Sequence, residues 1–199
     1  MKKLLIILVA FPGFRTALAQ NFENEKQQLR DWTIISTTQI NSGGDKVSSI
    51  YTEDKNWIKA QVPTSVLGAL VKAKIYPDPH FDLNNMKIPD ASDEFNKKNN
   101  LSKYSYLKGI DNPFKDPYWF RTRFSVPKQH IKKRIWLNFD GINYRADVFV
   151  NGKQIADAKE MAGMFLRFNY DITDVVRSDK ENVIAVKIYQ VDHVGTPNP

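Results

Sequence analysis

Residues 134–169, RIWLNFDGINYRADVFVNGKQIADAKEMAGMFLRFN, decide the fold class. Ile135, Leu137 and Phe139 fall on one side of an alternation, with Arg134, Trp136 and Asn138 on the other. Beyond Asp140-Gly141 the alternation resumes, with Ala146, Val148 and Val150 set against Arg145, Asp147 and Phe149. A period of two is what a half-buried strand requires, because successive side chains leave the backbone toward opposite faces. Asn151-Gly152 follows. Both residues tolerate positive φ, so a type I′ hairpin turn is expected there. The expectation is three strands joined by tight turns, forming the middle of a sheet.

Working outward, Tyr118–Val126 (YWFRTRFSV) alternates Phe120, Thr122, Phe124 and Val126 with Trp119, Arg121 and Arg123, and Pro127 ends it. Ile184, Val186 and Ile188 give Val183–Tyr189 one apolar face, while Asp171–Val176 reads as a turn or a single helical turn. Toward the N-terminus, Leu29–Ile40 is a candidate first strand, Asn41–Asp45 a turn cluster, and Lys46–Tyr51 its returning strand. Asn56–Val62 is a further short segment ended by Pro63. Val66, Leu67, Leu70 and Val71 recur at helical spacing behind Thr64, an N-cap candidate, and predict one short helix over Ser65–Lys72. Ile75–Pro117 is weakly periodic and holds five prolines. Segments this long without regular structure are functional or disordered in compact domains. Its interspersed aromatics (Phe81, Phe95, Tyr104, Tyr106, Phe114) favour an ordered excursion over a free surface loop. Strands at short intervals, with no βαβ rhythm, make the fold mainly β: an antiparallel sandwich with one short helix and a long irregular excursion.

Composition narrows the function classes. Lys2 and Lys3, the apolar run Leu4–Phe11 and Ala17-Leu18-Ala19 have the three parts of a secretory leader, with cleavage after Ala19. That apolar run is too short to anchor in a bilayer. A secreted or periplasmic chain over residues 20–199 is therefore expected, and the leader's three basic residues take the net charge from +7 to +4 when removed. The remaining basic residues form no stripe, so a solvated surface is favoured over nucleic-acid binding. The chain has no cysteine, which excludes disulfides and thiolate catalysis. His80, His130 and His193 share no ligand spacing, and no metal or other cofactor is expected.

Several blocks, in order, are similar to one family. Val62-Pro63-Thr64-Ser65-Val66-Leu67 precedes the helix, and Ile75–Asn84 (IYPDPHFDLN) forms a loop. Tyr118-Trp119-Phe120-Arg121, Phe139–Asp147 (FDGINYRAD), Val150-Asn151-Gly152, Gly163-Met164-Phe165, Tyr170–Thr173 and Asn182–Val186 complete the series. Together they resemble the N-terminal domain of glycoside hydrolase family 2, in the branch of exo-β-glucosaminidases, β-mannosidases and endo-β-mannosidases. The resemblance implies a galactose-binding-like jelly roll. It also implies that an immunoglobulin-like sandwich and a TIM barrel, holding the acid/base and nucleophile glutamates, follow in a complete enzyme. Nothing in this chain stands in for that pair: Asp157 and Glu160 flank a surface hairpin, with no apolar pocket to raise either pKa. Catalytic residues are therefore not expected here.

The resemblance further implies that loops of this domain form a rim over the barrel mouth. Asp78, Phe81 and Asn84 are the candidate substrate-binding residues of the first loop: a carboxylate and an amide for sugar hydroxyls, and a ring for an apolar sugar face. Asp82 stands where the family has Gly, a substitution costing about 1 kcal/mol if positive φ is needed. Asp192, just past the last strand, is the nearest match to a substrate-contacting aspartate of β-galactosidase members, one position out of register. Ordinary turn chemistry is the alternative for both segments. Trp119 and Trp136 point away from the expected core, where packing beneath the proline-rich segment is favoured over stacking on sugar.

Three readings follow: the leading domain of a secreted retaining β-glycosidase that trims β-linked mannosyl, glucosaminyl or galactosyl residues, a free-standing carbohydrate-binding module, or a structural buttress. The expected partners are a β-linked carbohydrate and the barrel of the same polypeptide, with no nucleic acid or membrane.

Overall fold

The computed structural model describes residues 25–88, 113–130 and 132–190. The expected leader, the middle of the proline-rich segment and Asp192 lie outside them. Ten elements matter for the site: β1 (Asp31–Ser36), α1 (Gly44–Val47), β2 (Ile58–Gln61), α2 (Val66–Lys72), β3 (Tyr118–Ser125), β4 (Trp136–Phe139), β5 (Ala146–Val150), β6 (Lys153–Ala156), β7 (Phe168–Asp171) and β8 (Glu181–Ile188). Six strands form one antiparallel sheet in the order β2-β1-β3-β8-β5-β6, and β4 pairs with β7 in a second. The mainly-β expectation holds.

At the middle of the large sheet β3 and β8 pair from Tyr118↔Ile188 to Ser125↔Glu181. Ile34, Phe120, Val186 and Val148 lie in one row across four strands, because Ile34 faces Phe120, Phe120 faces Val186, and Val186 faces Val148. Leu137 of β4, Met161 and Ile172 pack with this row in the main core. Each fully buried side chain of this size contributes about 1.5–3 kcal/mol of transfer free energy. The small sheet is thus the lid of the apolar face.

Three local expectations need correction. The first is the three-strand run: β4 does not neighbour β5 but lies in the other sheet. Alternation shows which face of a strand is apolar, not which strand it pairs with. The Leu137 and Val148 faces meet across the core. The second is Lys46–Tyr51, which is no strand, since α1 and a turn occupy its place. Gly44 lies so close to the sheet that an added Cβ would fall 2.2 Å from the Phe149 ring. Ser48 Oγ donates to Gly44 O (2.7 Å) and accepts from Gly152 N (2.8 Å), fastening this turn to the β5–β6 hairpin. The third is β7, to which the sequence pattern assigns no strand because only Phe168 and Tyr170 carry its period.

Other expectations are met. Asn151 and Gly152 adopt φ of 51° and 90°, as a type I′ turn requires. The helix begins one residue later than predicted, and Ser65 rather than Thr64 caps it, accepting from Gly68 N at 3.0 Å.

The outer face of the large sheet is also covered. Val47, Trp57, Trp119 and Ala185 form a second buried cluster, with Phe149 packed edge-on to Trp119 at 5.9 Å. Trp119 therefore lies beneath residues of the 40–57 segment, while the middle of the proline-rich one, expected to cover it, lies outside the described residues. Trp136 remains half exposed on the small sheet. Arg121, in the middle of this outer face, is wholly buried. Its Nε donates to Val47 O (3.0 Å) and Nη2 to Ser49 O (2.9 Å), and Nη1 pairs with Asp54. Burial pushes the guanidinium pKa down while Asp54 pulls it back up.

Candidate functional site

The loop from Pro77 to Asn84 is positioned by the end of α2. Lys74 takes φ of 60°, Ile75 N donates to Leu70 O (2.9 Å) and Lys74 N to Val71 O (2.9 Å). This is a Schellman stop, which satisfies the last helical carbonyls and turns the chain sharply. Tyr76 then packs against Phe114, with ring centroids 6.0 Å apart, and ties the loop's base to the segment entering β3.

Within the loop, Asp78 Oδ1 accepts from His80 N (2.9 Å), while Asp78 O accepts from Phe81 N (3.3 Å) and Asn84 Nδ2 (3.1 Å). Asn84 N donates to Phe81 O (3.2 Å), and Lys87 Nζ donates to Asn84 Oδ1 (3.1 Å). Asp82 has φ of 49°, so it adopts the left-handed conformation that the family's Gly suggests. The structure brings Asp78, Phe81 and Asn84 together on one closed loop. Turn chemistry uses one carboxylate oxygen and part of the amide. Asp78 Oδ2 accepts no bond from the described residues, and Phe81 is 72% exposed beside Leu83. A ring and a free carboxylate oxygen on a preformed turn can stack on a sugar and accept from its hydroxyls. Asp192 lies outside the described residues.

Neither Asp157 nor Asp171 is set up as a general acid. Asp157 accepts from Lys159 N and Glu160 N, and those bonds hold its pKa below the usual range. Asp171 is lowered likewise by the Thr173 hydroxyl and amide. A general acid needs the opposite shift.

Sequence reasoning missed a polar tie at the end of the sheet that holds the scaffold. Asn151 Nδ2 donates to Val175 O (2.8 Å) and Asn182 Oδ1 (2.7 Å), and its Oδ1 accepts from Val183 N and Arg177 Nη2. Buried Asn182 donates to Arg177 O and Lys180 O and accepts from Arg177 N. Both amides are fully satisfied, and Asn151 and Asn182 lie in two of the family-like blocks. The signal was present, but no spacing rule pairs residues so far apart.

The family described as "Glycosyl hydrolase 2 galactose-binding domain-like" matches residues 109–197. Residues 109–197 belong to this family. A mannosylglycoprotein endo-β-mannosidase of Lilium longiflorum is 37% identical to this family 2 domain over 72% of the chain and 13% of its own length. An exo-β-D-glucosaminidase of Streptomyces avermitilis is 32% identical, over 80% of the chain and 15% of its own. Among solved structures, an Amycolatopsis orientalis exo-chitosanase superposes with a TM-score of 0.68 at 25% identity, covering 83% of this chain and 17% of that one. The chain thus spans less than a fifth of each relative, and the family 2 domain is the part they share with it.

Proposed function

We propose that this domain is the accessory, substrate-rim domain of a retaining family 2 β-glycosidase acting on β-linked mannosyl, glucosaminyl or galactosyl residues. Supporting this are the named activities of the relatives and one observation that carries it: the loop of residues 78–84 is closed by its own hydrogen bonds yet leaves Phe81 and Asp78 Oδ2 outward. Order set in advance lowers the entropy cost of gripping a sugar. The two catalytic carboxylates of such an enzyme would lie in the accompanying catalytic region. Export, with cleavage after Ala19, belongs to the same proposal and is checked by the N-terminal mass of the secreted product.

The test joins the domain to a family 2 catalytic region and compares Asp78→Ala and Phe81→Ala with the parent. The expected result is a fall in kcat/KM of roughly tenfold, about 1.4 kcal/mol, with Tm unchanged. Unchanged turnover in both variants would reduce the domain to a buttress. Millimolar binding of β-linked oligosaccharides by the isolated chain, with no effect on turnover, would instead make it a binding module.

A further inference from the structure

Among the described residues, a further exposed apolar group is a tripeptide, Met164-Phe165-Leu166, between β6 and β7. Their exposures are 54%, 95% and 49%. This loop is not slack. Met161 at its base is wholly buried, with its N donating to Asp157 O (2.8 Å) and its O accepting from Ala146 N (3.1 Å). Gly163 N donates to Tyr144 O (2.9 Å), and Ala162 bridges Arg145. Gly163 has φ of 142°, and Leu166 folds back over it so closely that a Cβ there would lie 2.4 Å from Leu166 Cδ1. Phe165, at the tip, is held at φ of 62°, a conformation an aromatic residue adopts only when its surroundings impose it.

We propose that this tip is an anchor that docks the domain onto the larger catalytic polypeptide accompanying it in its relatives. The inference rests on the family 2 reading above. Two observations select that occupant. Each relative carries more than four-fifths of its length outside the part matched here, so a large protein surface accompanies the domain. The side chains of the tip, residues 164–166, are uncharged, while the flanking Arg167 is exposed and lies 3.8 Å from an exposed Asp140, a contact of little strength. Sugar recognition uses hydrogen-bonding side chains beside the ring, which residues 163–166 lack and the 78–84 loop has. A rigid aromatic on an apolar tip suits the centre of a protein interface, where such residues carry most of the binding energy. Placing it costs little on association because the loop is already ordered.

Hydroxyl-radical footprinting tests the docking. The 199-residue chain would be compared with the same domain substituted for the matching segment of the Amycolatopsis exo-chitosanase. If the chimera does not fold, the chain is added in trans to that enzyme's remaining polypeptide. Met164 and Phe165 are expected to be modified several-fold more slowly in the assembly. Tyr51, 88% exposed elsewhere, should react equally in both. Phe165→Ser should leave the Tm of the isolated chain unchanged and abolish the protection of Met164. Equal modification in both arrangements overturns the proposal, as does protection that appears in the isolated chain with rising concentration, which would assign the tip to a second copy. Protection of Met164 alongside unaltered turnover of the Asp78 and Phe81 variants would remove the rim reading and leave the docking intact.

Discussion

The two faces of the six-stranded sheet are built by different chemistry. The inner face is mostly apolar: Ile34, Phe120, Ile184, Val186, Val148 and Val150 all turn toward the small sheet, with Thr122 and Asn182 as its polar members. The outer face mixes Trp119, Ala185 and Phe149 with Thr33, Arg121, Arg123, Lys187 and Asp147, and the charged part of that set reads as solvated. Yet its centre is as dry as the core, because residues 40–57 fold over it and answer the guanidinium with two carbonyls and a carboxylate. Burial is therefore decided by what covers a strand, which the strand's own pattern does not state. A buried charge is costly unless it is paired, and each nitrogen of the Arg121 guanidinium has an acceptor.

The largest effect follows from that pairing. Arg121→Ala should destabilise the domain by about 3–5 kcal/mol, since it strands Val47 O, Ser49 O and Asp54. Ile184→Ala on the inner face should cost about 2–5 kcal/mol through its cavity. Urea unfolding of both variants compares the faces directly. An Arg121→Ala loss below that of an ordinary surface substitution would show that the outer face is not a core. Asn182→Ala comes next, at about 2–3 kcal/mol, because it leaves several buried donors and acceptors unpaired where the hairpin turn meets β8. Gly44→Ala should cost about 1–3 kcal/mol by overpacking against Phe149. Its signature is selective: the emission of Trp57 and Trp119 should shift while the inner core still unfolds cooperatively.

What could be read in advance divides along the same line. The inner core, the hairpin at Asn151-Gly152 and the helix over Val66–Lys72 follow from periodicity and turn chemistry, which are local rules. The placing of β4 in a second sheet depends on a crossing that no local pattern encodes. Arg121 is legible as an outward residue but not as a buried one, and Trp119 as a covered residue but not as one covered by residues 40–57, since that cover lies about seventy positions earlier. For the candidate site, Asp78, Phe81 and Asn84 form one closed turn, as nearness in sequence suggests. Its free carboxylate oxygen and exposed ring depend on which atoms the turn consumes, and that required the structure.

Alkaline pH probes the outer face's rim. Tyr189 donates to Asp147 Oδ2 at 2.6 Å, and burial, with that bond, pushes its phenol pKa up. A raised folded value means the contribution is complete below the unfolded tyrosine value near 10 and is lost as pH climbs toward the folded one. Tyr189→Phe should flatten the fall in stability above about pH 10, leaving the slope owed to Tyr76, Tyr118 and Tyr170, which are raised as well. An unchanged slope would mean that the Asp147 bond does not survive in solution.

The smallest effect concerns the loop that carries the candidate site. Asp82 and Lys74 both hold positive φ, at 49° and 60°, where glycine is the unstrained residue. Replacing either by Gly removes steric strain from the folded state but widens the unfolded ensemble, so the two terms oppose each other. Lys74 sits at a Schellman stop, where the strain is greater for a residue without a short polar side chain, and Lys74→Gly should stabilise by about 0.5–1 kcal/mol. Asp is among the residues that visit this region readily, so Asp82→Gly should change stability by less than about 0.5 kcal/mol. Asp82→Val is the sharper probe: a β-branched residue resists positive φ, and the loop should open with a loss of about 1–2 kcal/mol. If thermal unfolding of Asp82→Val matches the parent, the loop is not held in this conformation, and the order on which the rim depends is absent.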